Sequence, residues 1–173
     1  MKNETETSRF AGIAANVGIA VLCLTLSAAV AKRVFWTEQS QAPPGQVKVG
    51  DRVALPNVKL GPGETVVLAL REGCHFCEAS APLYKQLVEA AQSDKGKRVV
   101  AVLPEAADKG KSYLHSLGVD VSDVYNVPFS QLQIRGTPTL LVLGETCIVK
   151  HAWYGQQPVE QNARIIRDIF GGS

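Results

Sequence analysis

The sequence predicts an α/β domain, in which strands and helices alternate along the chain, behind an apolar N-terminal segment. Residues 65–70 are a continuous apolar run of strand length, as expected for a central strand buried on both faces, and residues 98–103, apolar after Arg98, are the next strand. Each run is followed by a pattern with helical period, and the complete order of predicted elements is β-α-β-α-β-β-α. A chain of 173 residues has room for one such domain and an appendage.

The appendage is the N-terminal region. Residues 1–9 form a short polar tail, and residues 10–31 form an almost uncharged apolar run. As a helix, this run is long enough to cross a bilayer core of about 30 Å, so we predict a transmembrane helix. The alternative is a cleaved secretory signal, because residues 29–31 read Ala-Val-Ala, a small-x-small cleavage pattern. Both alternatives export the rest of the chain.

Residues 37–45 are polar and contain prolines without an apolar period, so we expect residues 32–46 to form a linker to a domain that spans residues 47–173. The net charge is +2, from 18 basic and 16 acidic residues, and the basic residues are scattered. Nothing in this pattern suggests a nucleic-acid partner. The four cysteines are too few and too irregularly spaced for a disulfide-stapled mini-protein, and they suggest one working pair, Cys74 and Cys77.

The remaining predicted elements follow one another closely. Leu83, Leu87 and Ala91 share one apolar helical face after the first strand, and Pro82 within this helix should kink its axis. The later elements are a strand at 98–103, a helix at about 107–117, an extended approach at 119–125, a single turn at 130–133, antiparallel strands at 139–143 and 147–154, and a helix at 158–170.

Two short motifs carry the chemistry. Residues 73–77 read Gly-Cys-His-Phe-Cys, and two cysteines separated by two residues form either a redox dithiol or half of a metal site. Residues 134–141 read Ile-Arg-Gly-Thr-Pro-Thr-Leu-Leu, with a proline just before a predicted strand. In this order, and on this pattern of strands and helices, the two motifs resemble the thioredoxin superfamily. The resemblance covers about residues 47–170. Within the superfamily, the chain is similar to the membrane-anchored, cytochrome-maturation type of protein.

The resemblance implies a thioredoxin-like fold, with a central mixed sheet flanked by helices and without a cofactor. It also implies that the Thr137–Pro138 bond is cis and lies beside the two cysteines, where Thr137 offers its backbone to an incoming peptide. The substrate-binding residues predicted on this basis are Phe76, Thr137 and Pro138. No metal site is predicted.

Cys74 and Cys77 are the predicted catalytic residues. Cys74 should lie at a helix N-terminus, where unsatisfied N–H groups and the positive end of the helix dipole lower the thiol pKa below about 8.5. Cys77, one turn deeper, should be shielded and should resolve the mixed disulfide formed on Cys74. His75 should tune the reactivity of the same sulfur, because a partly protonated imidazole near Cys74 stabilises its thiolate further.

Two residues depart from the pattern of ordinary thioredoxins. Leu68 stands where they carry a buried aspartate beneath the cysteines, and Gly73 stands where they carry a tryptophan. Without the buried acid, the proton that leaves Cys77 needs another acceptor; the candidates are Glu72, Glu78 and water, and the sequence does not choose among them. The missing tryptophan favours exported relatives over a cytosolic general reductase.

The sequence therefore predicts an exported thiol–disulfide oxidoreductase, tethered by a single pass to the bacterial inner membrane with its catalytic domain on the periplasmic side. Its expected partners are protein thiols and disulfides, such as an apocytochrome or a copper-site protein, and a membrane or soluble electron donor. Reduction or exchange is favoured over strong oxidation, although His75 leans toward an oxidant. The alternative is a copper-handling protein of the same fold, in which Cys74 and Cys77 bind copper with His151 or Cys147.

Overall fold

The structure is a computed structural model that describes residues 44–55, 57–58, 60, 62–94 and 96–171. The predicted N-terminal tail, the apolar segment at residues 10–31 and residues 32–43 of the expected linker lie outside the described residues. Among the helices of the described ranges, none is both long and apolar enough to span a bilayer.

Five strands of the described chain form one mixed sheet. The strands are β1 (Glu64–Ala69), β2 (Lys97–Leu103), β3 (Asp123–Asn126), β4 (Thr139–Leu143) and β5 (Val149–Tyr154). Their order across the sheet is β3-β2-β1-β4-β5. Strands β1, β2 and β3 run parallel to one another, whereas β4 is antiparallel to both of its neighbours, β1 and β5. The predicted mixed sheet is therefore confirmed.

The helices are α1 (His75–Ala79), α2 (Ala81–Ser93), α3 (Ala107–Ser116) and α4 (Asn162–Phe170), with 3-10 helices at Phe129–Leu132 and Val159–Gln161. The single kinked helix predicted after Cys77 is in fact two helices, which meet at Ser80. Pro82 lies in the first turn of α2. Because the N–H groups of a first turn have no intrahelical acceptor, Pro82 removes no helical hydrogen bond there.

The sheet is buried on both faces, as the continuous apolar runs predict. Val66 and Leu68 of β1 point into a cluster that contains the buried apolar side chains of all four described α-helices. Val67 and Ala69 point into a second cluster on the other face. That face is covered by Val47, Val53 and Val58 of the segment before β1 and by Leu132 and Ile134 of the segment before β4.

Three boundaries differ from the sequence prediction. Residues 119–125, expected as an extended approach, contain the start of the parallel edge strand β3. Strand β5 begins at Val149 rather than at Cys147, because Cys147 lies in the preceding turn with a φ of +59°. The last helix begins at Asn162, after one 3-10 turn. None of these differences moves the two motifs, since Ala69 at the end of β1 pairs directly with Thr139 at the start of β4.

Candidate active site

Gly73 directs the chain from β1 into α1. Its φ of +68° lies in the left-handed region, which glycine adopts without the steric cost of a Cβ atom. A Cβ atom at Gly73 would meet nothing within 4 Å, so the requirement is conformational and not one of space. The departure from the tryptophan of ordinary thioredoxins therefore has a backbone reason: a tryptophan would be strained at this φ.

Cys74 is the N-cap residue of α1, as its predicted place at a helix N-terminus requires. Its Sγ accepts hydrogen bonds from the backbone N–H of Cys77, at an N–S distance of 3.2 Å, and from the hydroxyl of Thr137, at an O–S distance of 3.3 Å. Burial acts to raise the pKa of Cys74, but the hydrogen bonds from Cys77 and Thr137 outweigh burial and lower the pKa from its ordinary value. Cys74 is thus the thiol that ionises first.

Cys77 is fully buried in the same cluster as Leu68. Burial, and after it the hydrogen bond with Cys74, raises the pKa of Cys77 to about 12. Both cysteines carry free thiols in the structure. The pair is therefore strongly asymmetric, with one thiol poised to ionise and one held protonated by its surroundings.

The second motif lies against the first, although 63 residues separate Cys74 from Thr137. The Thr137–Pro138 bond is cis, as the resemblance implies. The carbonyl of Thr137 accepts a weak hydrogen bond from Cys74 Sγ at 3.6 Å, in addition to the bond that its hydroxyl donates. On the other side of the loop, the N–H of Gly155 donates to the Pro138 carbonyl at 2.8 Å. Pro138 is buried, and Thr137 is half-buried.

Phe76 and His75 form the outer side of the motif. The side chain of Phe76 is 57% exposed, which is unusual for a large apolar residue and leaves its ring open to a substrate. His75 is also exposed, and its ring lies edge-on to that of Phe76, with 5.8 Å between centroids. Within the described residues no hydrogen bond joins His75 to Cys74, so the action of His75 on the thiolate stays a prediction.

Two tyrosines share the apolar cluster that contains Cys77 and Leu68. Tyr84 of α2 and Tyr113 of α3 are buried in the same cluster as Cys77. Burial raises the pKa of both tyrosines well above the usual range, so both hydroxyls stay protonated at any physiological pH. Tyr84 lies beside Leu83 and Leu87 on the apolar face of α2, and this helical period in the sequence is a signal for it. Tyr113 comes from a separate helix and has no comparable local signal.

The extra ligands of the copper alternative do not join the cysteines. No group of three or more His, Cys, Asp or Glu side chains within the described ranges is arranged to hold a metal ion. His151 lies on β5 and stacks on Trp153, with 5.6 Å between ring centroids. Cys147 packs against the cluster on the opposite face of the sheet from Cys77.

No protein-family model and no curated protein matches the chain. Among solved structures, it is similar to a thiol:disulfide interchange protein from Bacteroides sp., with 12% identity and a TM-score of 0.50 over 65% of this chain and 76% of that chain. It is also similar to a proposed thioredoxin from Neisseria meningitidis, with 14% identity and a TM-score of 0.51 over 64% of this chain and 77% of that one. The domain has a thioredoxin-like fold.

A third solved structure agrees with this assignment. A proposed protein disulfide isomerase from Bacteroides thetaiotaomicron is 13% identical, with a TM-score of 0.51 over 74% of this chain and 88% of that chain. At such identities the likeness concerns the fold alone. Within this thioredoxin-like fold, the Cys74–Cys77 pair lies at the N-terminus of α1 beside a cis-proline loop.

Proposed function

We propose that the thioredoxin-like domain is a thiol–disulfide oxidoreductase that acts on protein disulfides and thiols. The observation that carries the proposal is the asymmetry of the two thiols: hydrogen bonds lower the pKa of Cys74, whereas burial raises that of Cys77. The attacking species in disulfide exchange is a thiolate, so this asymmetry assigns the first attack to Cys74 and the resolving step to Cys77.

In the reducing direction, the Cys74 thiolate attacks one sulfur of a substrate disulfide, forms a mixed disulfide and releases the other substrate sulfur as a thiolate. Cys77 then loses its proton to the released thiolate or to water, attacks the Cys74 sulfur and releases the second substrate thiolate. Two electrons have passed to the substrate, and the protein carries a Cys74–Cys77 disulfide. A membrane or soluble donor dithiol must then reduce this disulfide. The same steps in the reverse direction oxidise a substrate dithiol.

The substrate in this proposal is an extended peptide that contacts the exposed ring of Phe76 and the backbone of Thr137. Phe76 is exposed, and Thr137, which contacts the sulfur of Cys74, is half-buried. Because these contacts depend on backbone and apolar surface and not on charge, several protein partners can make them, including an apocytochrome or a copper-site protein. They offer no basis for nucleic-acid binding.

The proposal also includes a location and a direction. Residues 10–31 would tether the domain by a single pass to the bacterial inner membrane, with the catalytic domain on the periplasmic side; the support is the apolar run in the sequence. Reduction or exchange is the proposed activity. An impermeant thiol reagent should label Cys74 in intact cells after mild reduction, and labelling only after lysis would contradict this location.

Trapping of mixed disulfides tests the roles of the two cysteines. With full-length protein in detergent and insulin as a model substrate, Cys74→Ala should abolish exchange, whereas Cys77→Ala should accumulate a mixed disulfide on Cys74. Cys147→Ala is the matched control, because its thiol packs on the other face of the sheet and its loss should leave exchange unchanged. Equal trapping by Cys74→Ala and Cys77→Ala would overturn the assignment.

A further inference from the structure

Gln46 is a buried polar residue at the end of the segment that was expected to be only a linker, and it is 5% exposed. Both ends of its side-chain amide bind the chain around the cis-proline loop. Its Oε1 accepts a hydrogen bond from the backbone N–H of Arg135 at 2.7 Å. Its Nε2 donates to the hydroxyl of Thr139 at 3.2 Å. Gln46 therefore connects the residue before the loop at 136–138 with the residue after it.

Thr139 carries this connection into the loop itself, because its hydroxyl donates to the carbonyl of Gly136 at 2.8 Å. Thr139 is 2% exposed, so its hydroxyl and the amide of Gln46 bond to each other away from solvent. Buried polar groups are costly to leave unpaired, and the bonds among Gln46, Thr139 and the loop therefore resist any change in the width of the loop.

The residues on either side of Gln46 bind the same stretch of chain. The carbonyl of Gly45 accepts a hydrogen bond from Nε of Arg135 at 3.1 Å, and the N–H of Val47 donates to the carbonyl of Gln133 at 3.0 Å. Gly45 has a φ of +70°, which glycine adopts without strain, and a Cβ atom there would come within 2.7 Å of the flexible end of the Arg135 side chain, which would have to shift. The chain thus enters the domain directly against the active-site loop.

We propose that Gln46 is a positioning residue of the active site: it holds the loop at residues 136–138 so that the Thr137 hydroxyl reaches Cys74 Sγ. The proposal rests on the proposed function, in which the Cys74 thiolate is the attacking group. Its link to the chemistry is the 3.3 Å bond from the Thr137 hydroxyl to Cys74 Sγ. Without its bonds to Gln46, the loop holds the Thr137 hydroxyl less firmly. The Cys74 thiolate then loses part of a charge-assisted hydrogen bond, and the pKa of Cys74 rises.

The test replaces Gln46 by methionine, which has a similar length and no amide. Cys74 is titrated by thiolate absorbance across pH, and its reaction with a small aromatic disulfide is timed, both on the full-length protein. In Gln46→Met we expect the Cys74 titration to move to higher pH, and the rate at neutral pH to fall about three- to tenfold because less thiolate is present. At a pH where Cys74 is fully ionised, the rates of the variant and the wild type should converge.

Asn126→Ala is the matched control, because the Asn126 amide also holds a loop through two hydrogen bonds, to the carbonyls of Pro104 and Glu105 at 2.7 and 2.8 Å. It should leave the Cys74 titration unchanged. If Gln46→Met does not fold, Thr139→Val takes its place. It removes the hydroxyl that accepts from Gln46 and donates to Gly136, and it should likewise move the Cys74 titration to higher pH. An unmoved Cys74 titration in the folded variant overturns the proposal.

The same data separate this proposal from the proposed function. If the wild-type protein fails to exchange with protein disulfides while Cys74 still reacts with the small disulfide, the proposed function is wrong. The effect of Gln46 on the Cys74 titration is then still measured. If the wild type exchanges normally and Gln46→Met titrates as the wild type does, only the positioning role of Gln46 is wrong.

Discussion

The reduced protein should lose stability as the pH rises above about 8.5, and the buried thiol of Cys77 should be the cause. In the unfolded chain Cys77 ionises near the ordinary thiol pKa of about 8.5. In the folded protein burial raises that pKa to about 12. A group whose pKa is raised by folding contributes stability that is fully present below the unfolded pKa and is lost as the pH rises toward the folded pKa.

The size of the loss follows from these two pKa values. Each pH unit well inside this interval lowers the free energy of unfolding by about 1.4 kcal/mol. Because Cys77 of the unfolded chain is already about half ionised at about pH 8.5, the slope is not yet complete there, and a rise from about pH 8.5 to about pH 10 should cost about 1.6 kcal/mol. Cys74 offsets little of this loss. Its lowered pKa adds stability mainly as the pH rises through the folded pKa toward about 8.5, and at most about 0.4 kcal/mol more as ionisation of the unfolded chain is completed above that value. The buried tyrosines contribute only above about pH 10.

Urea unfolding of the reduced full-length protein, followed by tryptophan fluorescence at the two pH values, measures the loss. Cys77→Ala should lack about 1.6 kcal/mol of the decrease that the wild type shows. Cys147→Ala should keep the decrease, because it leaves the Cys77 thiol in place. Equal decreases in the wild type and in Cys77→Ala would refute the reasoning, since they would mean that the Cys77 thiol titrates as an exposed one does.

Three further changes test the surroundings of the dithiol. Thr137→Val removes the hydroxyl that donates to Cys74 Sγ. The Cys74 pKa should therefore rise, and the reaction of Cys74 with a model disulfide at neutral pH should slow about tenfold. An unchanged rate would show that the bond does not act on the thiolate. Tyr113→Phe removes a buried hydroxyl without a hydrogen-bond partner among the described residues, so the free energy of unfolding in urea should stay the same or rise by up to about 1 kcal/mol, and a clear fall would contradict this. His75→Ala should lower the reduction potential by roughly 20–40 mV in a titration against glutathione, because the imidazolium no longer favours the reduced form. An unchanged potential would remove the oxidant-leaning part of the sequence analysis.

The parts of the fold that the sequence predicts are those set by local pattern. The run at residues 65–70 predicts β1 because a strand buried on both faces needs apolar residues at every position. Strand β3 is different, since only Val124 of its four residues is buried. It exists because its backbone pairs with the C-terminal half of β2, and a pairing between distant segments leaves little trace in four residues of local sequence.

The residues of the candidate site also fall into those that local sequence predicts and those that it does not. Cys74, Cys77 and the Thr137–Pro138 pair are predictable because each motif is a compact run with a distinctive residue type. Gln46 is not, because a polar residue after prolines and a glycine is typical of a linker, and its partner Arg135 lies 89 residues away. Its role becomes visible only when the chain has folded around both motifs.

The donors to Cys74 also bear on the direction of electron flow. A backbone N–H and a threonine hydroxyl stabilise the thiolate of the reduced state, whereas a sulfur in a disulfide carries no charge for them to stabilise. The same contacts that lower the Cys74 pKa therefore raise the reduction potential, by about 30 mV for each ~1.4 kcal/mol. We expect a potential between the ~−270 mV of thioredoxin and the ~−120 mV of the strong periplasmic oxidant. A dithiol in that interval reduces a substrate only when a more strongly reducing donor keeps it supplied with electrons, so the donor, more than the site itself, decides whether the protein works as a reductant.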